Sequence, residues 1–156
     1  MTILALDLGT KCGWCRTDGV VYDSGVWNLA GGRYEGGGMR FLRVRQMLES
    51  LGWDADLVVY EEVRRHMGVD AAHVYGGFQA VVTEECERRG IPYEGIPVVT
   101  IKRTATGKGN AKKDAMVEAA NRYWPTAYIT DDNEADARHI ARHAVLRYAA
   151  EAGVAR

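Results

Sequence analysis

A chain of 156 residues, 47% of them hydrophobic, suits one domain (residues 1–156) around one core and leaves no room for a second of similar size. The net charge of −1 gives no global sign of a nucleic-acid partner. Three cysteines make no disulfide framework, and Asp7 and Lys11 interrupt the start before a signal peptide or spanning segment can form. A cytoplasmic protein without a membrane partner is expected.

Residues 2–7 read as a strand buried on both faces. Residues 13–17 and 20–23 flank Asp18-Gly19, a type I′ hairpin signal, and Ser24-Gly25 allows a bend or bulge before residues 26–29. A three-stranded antiparallel meander follows from this, with the first strand innermost. Gly31-Gly32 through Gly36-Gly37-Gly38 reads as a flexible connection. Over 39–51, Phe41, Val44, Leu48 and Leu51 recur at helical spacing, with Arg40, Arg43 and Arg45 turned outward. A strand over 56–61, a loop with Arg64, Arg65 and His66, and a long helix over 70–89 come next, the helix ended by Gly90. The short strand over 91–96 contains a proline, which suits a sheet edge. From Val98 a helical turn gives way to a mobile basic loop at 106–110, and helices over 112–123 and 133–151 complete the chain. The order β-β-β-α-β-α-β-α-α predicts an α/β fold: one mixed sheet, antiparallel first and then parallel, with helices packed against it.

Three acidic features stand out. Asp7 ends the apolar run Ile3-Leu4-Ala5-Leu6, Glu61-Glu62 end Leu57-Val58-Val59-Tyr60, and Asp131-Asp132-Asn133-Glu134 with Asp136 opens the last helix. The first and fourth strands should be parallel neighbours, and ligands of open α/β sheets bind off the strand carboxyl ends. An acid ending a buried run is costly without a partner, and converging carboxylates call for a divalent cation. Only one of Glu61 and Glu62 can share a face with Asp7. Asp131 and Glu134 form a capping box, which does not account for Asp136. Asp136 shares the apolar face of Ile140, His143 and Ala144, and Asp132 stacks four residues before it.

Other patterns have simpler explanations. Cys12 and Cys15 have C-x-x-C spacing but no second pair, so packing explains them better than zinc or redox chemistry. Asp136, His139 and His143 imitate a helical zinc site on a helix that also bears arginines. Gly107-Lys108-Gly109 lacks phosphate-loop spacing. Lys102, Arg103, Lys108, Lys112 and Lys113 come without an intervening acid and, with Arg64 and Arg65, suit DNA backbone.

The stretches Ile3–Thr10 with Gly13-Trp14, Val59–Val63, Gly107–Lys113 and Asp132–Ala137 resemble, in order, those of RuvC-type Holliday-junction resolvases in the RNase-H-like superfamily, especially compact phage and prophage forms. The resemblance implies an RNase-H-like fold with helices on both faces of the sheet. It implies a homodimer built on the helix over 70–89, and Mg²⁺ or Mn²⁺ as cofactor, two ions per site. Asp7, Glu61 (rather than Glu62) and Asp136 take the family's carboxylate positions, and Lys113 that of an active-site lysine. The remaining ligand falls to Asp132, with the Asn133 amide as alternative. The activity implied is metal-dependent cleavage of four-way junctions; a nuclease for other branched DNA or RNA, or a non-catalytic nucleic-acid-binding domain, are the alternatives. Tyr75 and Phe78, on the long helix, suit packing better than wedging a junction.

Overall fold

The computed structural model describes residues 1–66, 68–151 and 153. Five strands, β1 (Ile3–Asp7), β2 (Lys11–Thr17), β3 (Tyr22–Asn28), β4 (Leu57–Glu62) and β5 (Tyr93–Pro97), form one sheet in the order β3-β2-β1-β4-β5. The first three are antiparallel, whereas β4 runs parallel to β1 and β5 to β4. β1 is therefore central and β5 lies at an edge, as expected, although β5 starts after Pro92, the proline behind that expectation, and ends on Pro97. Five helices complete the chain: α1 (Met39–Leu51), α2 (Val69–Arg89), α3 (Val98–Thr106), α4 (Lys113–Tyr123) and α5 (Asp132–Glu151).

Strand alternation sorts the core into two layers. Leu4, Leu6, Val58 and Tyr60 pack with Val44, Leu48, Phe78 and Val82 of α1 and α2. Ile3, Ala5, Leu57 and Val59 pack with Ile101, Met116, Ile140 and Ala144 of α3, α4 and α5. Cys12 falls in the first layer and Cys15 in the second, so they serve packing on opposite faces. Tyr75 and Phe78 are buried packing residues.

Several local expectations are corrected. Residues 98–106 form a full helix, because Ile101 and Ala105 give α3 a buried apolar side against the sheet and α5. The loop between β2 and β3 has four residues, since Thr17 pairs with Tyr22; Asp18 Oδ1 accepts the amides of Val20 and Val21 at 2.9 and 2.8 Å. No bulge occurs at Ser24-Gly25. Gly25 instead makes room for the Trp14 indole, 3.0 Å from where a Cβ would stand. Arg45 turns toward α2 and pairs with Glu84 and the buried Glu85, rather than facing solvent. Glu134 does not complete a capping box: it accepts the Ser24 hydroxyl, while Asp131 Oδ1 accepts the Asn133 amide at 2.8 Å. The basic segment after α3 is a bonded turn, with Thr106 Oγ1 accepting the Lys108 amide at 3.2 Å.

The glycine-rich connection is likewise anchored. Gly32–Glu35 close a β-turn at 3.1 Å, Glu35 accepts the Gly32 amide at 2.6 Å, and Arg43 Nη2 donates to both Glu35 oxygens at 2.6 and 2.7 Å.

Candidate functional site

Asp7 and Glu61 continue the rows Ile3-Ala5 and Leu57-Val59, so both face the layer of α3, α4 and α5. Strand parity therefore selects Glu61. Glu62 faces the other layer, packs over Gly95 and pairs with Arg64 at 3.1 Å. The end of β4 is held from behind, where the Tyr75 hydroxyl donates to the Glu61 carbonyl at 2.6 Å and accepts the Val63 amide at 3.2 Å.

Gly13 brings the start of α5 to this edge. It pairs with Asp7 across the sheet, and a Cβ on it would stand 1.9 Å from the Asn133 carbonyl oxygen. Only a residue without a side chain lets the α5 backbone approach so closely. That approach carries Asp132 and Asp136 to the end of β1.

The electrostatics follow from this crowding. Burial, followed by the charges of Glu61, Asp136 and Asp132, holds the Asp7 carboxyl well above its usual range, against an opposing pull from Lys113. Asp136 is pushed up to about 7 by burial and then by Glu61 and Asp132, with Lys102 and Lys113 opposing. Glu61 is raised by burial and eased by Lys102. The Lys113 ammonium pairs with Asp132, which raises the lysine. Glu61, Lys102, Lys113 and Asp136 line a cavity of about 200 Å³, with Val98, Ile101 and Met116 as its apolar wall.

Lys102 was expected on a DNA-binding rim, yet it stands inside this cavity. Val98, Ile101 and Lys102 share a side of α3, so the helix that the sequence reading had cut short is what brings Lys102 there. Arg65, Arg103, Lys108 and Lys112 are exposed, and Arg64 is exposed with Glu62 as partner. Asn133 gives its side-chain amide nitrogen to Asp131 at 2.9 Å. A zinc reading of α5 does not hold: His139 Nε2 bonds the Met116 carbonyl at 3.0 Å and His143 Nδ1 the Thr104 hydroxyl at 2.9 Å.

Among the described residues, no three Asp, Glu, His or Cys side chains close around one point. The carboxylates converge on a shared space without forming a finished cage, and Lys113 supplies positive charge there. Asp136 Oδ1 is buried with no hydrogen-bond partner. An orphaned carboxylate oxygen amid further acids is a hard, all-oxygen donor set, which fits Mg²⁺ or Mn²⁺.

No protein-family model matches the chain, and no curated protein does so. Solved structures do. RuvC of Thermus thermophilus is 19% identical with a TM-score of 0.72, covering 100% of this chain and 99% of that one. T. thermophilus RuvC in complex with Holliday junction substrate gives 19% identity and a TM-score of 0.75, covering 100% and 98%. The yeast mitochondrial Holliday junction resolvase Ydc2 gives 16% and 0.60, covering 94% and 80%. At such identities the likeness is one of architecture: over nearly the whole length of both chains, this chain has the fold seen in these RuvC structures.

Proposed function

We propose that this protein is a metal-dependent, structure-selective DNA endonuclease that resolves four-way junctions. The observation that carries the reading is the convergence of Asp7, Glu61, Asp132 and Asp136 at one sheet edge, where burial and mutual repulsion raise Asp7 and Asp136. A fold does not select such an arrangement for stability, because crowded buried acids oppose folding. Its likeness to a RuvC in complex with Holliday junction substrate supports the choice of branched DNA.

Asp7, Glu61, Asp132 and Asp136 would hold two Mg²⁺ or Mn²⁺ ions. When bound, these supply Lewis-acid activation of water and stabilisation of the leaving 3′ oxygen. Lys113 and Lys102 face the same cavity and offer ammonium groups to the scissile phosphate, stabilising charge as it builds on the phosphoryl oxygens. Val98, Ile101 and Met116 form a dry wall that strengthens those interactions. Arg65, Arg103, Lys108 and Lys112, with Arg64, present exposed cations for the DNA backbone. Symmetric nicking needs two sites related by a two-fold axis, so the acting species is a homodimer built on the outward face of α2.

The test uses a synthetic four-way junction with Mg²⁺. The native chain should cut it, whereas Asp7→Asn should bind it and leave it intact. Equal cleavage by that variant removes Asp7 from the chemistry, and cleavage of flaps, bubbles or RNA–DNA hybrids in preference to junctions reassigns the substrate.

A further inference from the structure

The connection between β3 and α1 ends in an exposed pair with no task in the carboxylate cavity. Tyr34 is 92% exposed, and the Arg33 guanidinium lies 5.6 Å from its ring centroid. Leaving a tyrosine in water is no accident of a slack loop here, because the two residues occupy the centre of the Gly32–Glu35 turn. Glu35 locks that turn to the Gly32 amide and to Arg43, and Arg43 Nη1 donates to the Ala30 carbonyl at 2.8 Å. The clamp fixes the base of the loop and leaves its aromatic–cation tip in solvent.

The loop also leaves the sheet at the end that carries Asp7. β3 ends beside the start of β2: Asn28 pairs with Lys11, and the Leu29 amide donates to the Thr10 carbonyl at 2.7 Å. Lys11 is exposed at this end of β2. The end of the sheet that carries Asp7 therefore also carries Lys11 and the start of the loop that bears Arg33 and Tyr34.

We propose that the Arg33–Tyr34 tip is a second nucleic-acid contact, in which Tyr34 stacks on an unpaired base of the branched substrate and Arg33 takes the adjoining phosphate. An exposed ring beside a guanidinium matches a nucleotide, whose base offers a π-face and whose phosphate offers a negative charge. The inference rests on the reading of the chain as a branched-DNA nuclease and adds a contact outside the cleavage site.

The experiment measures binding in the Asp7→Asn background, which prevents cutting, to a four-way junction, a single strand and a continuous duplex. Tyr34→Ala should weaken binding to the junction and the single strand by about 5- to 150-fold, the usual yield of one base stack. Duplex binding should be unchanged, because its bases are already stacked. Tyr34→Phe should restore affinity, and Arg33→Ala should lower the salt slope by about one. A 2-aminopurine reporter near the crossover should lose fluorescence quenching with Tyr34→Ala alone. Unchanged junction affinity in Tyr34→Ala, with the parent binding well, overturns this contact and leaves the nuclease reading standing. Failure of the parent to bind any of the three DNAs overturns both.

Discussion

Asp136 shows how one side chain links stability to chemistry. Its carboxyl titrates at about 7, against 3.8 for an unperturbed aspartate. The unfolded chain therefore loses this proton first, and between pH 4 and pH 7 the folded state holds the extra proton. Stability must fall as pH rises through that window. Asp136→Asn removes the buried charge, so the metal-free variant should be more stable than the native chain at pH 8, by up to about 4 kcal/mol, and should melt at a higher temperature. The gain should nearly vanish at pH 4. Mg²⁺ should raise the melting temperature of the native chain at pH 8 and leave Asp136→Asn nearly unaffected. Thermal melts at the two pH values decide it, and an Asp136→Asn protein no more stable than native at pH 8 refutes the account. Sequence reasoning reached Asp136 through its place on an apolar helix face; the size of its repulsion from Glu61 depends on a convergence of distant segments.

At the scale of elements, the site depends on how closely α5 meets the sheet. Gly13 sits where β2 pairs with Asp7 and where the Asn133 carbonyl presses on the strand. Gly13→Ala would force α5 outward, because backbone cannot rotate away as a side chain can. A cost of about 3 kcal/mol is expected, as for overpacked cores. Cleavage should fall further than junction binding, since Asp132 and Asp136 move away from Asp7. Equal melting temperatures and rates for Gly13→Ala and the native chain would show that α5 is not held there. Apolar periodicity gave the bounds of α1, and α2, α4 and α5 were placed to within a residue. The helix α3 escaped that reading because its nine residues offer barely two turns of pattern, and only packing on β4, β5 and α5 completes it.

For the whole molecule, net charge conceals a division of labour. The carboxylates collect at one sheet edge, while Arg65, Arg103, Lys108 and Lys112 remain exposed. Junction affinity should therefore fall steeply with salt, with a log–log slope near one per phosphate contact released. Combining Arg103→Ala, Lys108→Ala and Lys112→Ala should reduce that slope by about three without altering the melting temperature; an unchanged slope places DNA elsewhere. The proposed assembly on α2 predicts a two-fold dimer by sedimentation, and a strictly monomeric chain that still cuts both strands in step would remove it. Among the described residues, no helix is long and apolar enough to cross a membrane.

Local physics was enough to read the strands, most helices and the acids at their ends, because hydrophobic period and chain punctuation act over a few residues. It also showed that such acids are too expensive to lie idle. It could not show that Lys102 enters the cavity, that Glu35 and Arg43 tie down a glycine-rich loop, or that Gly13 lets α5 touch β2. Each of those depends on segments far apart in the chain being packed against one another, and close packing is a property of the folded whole.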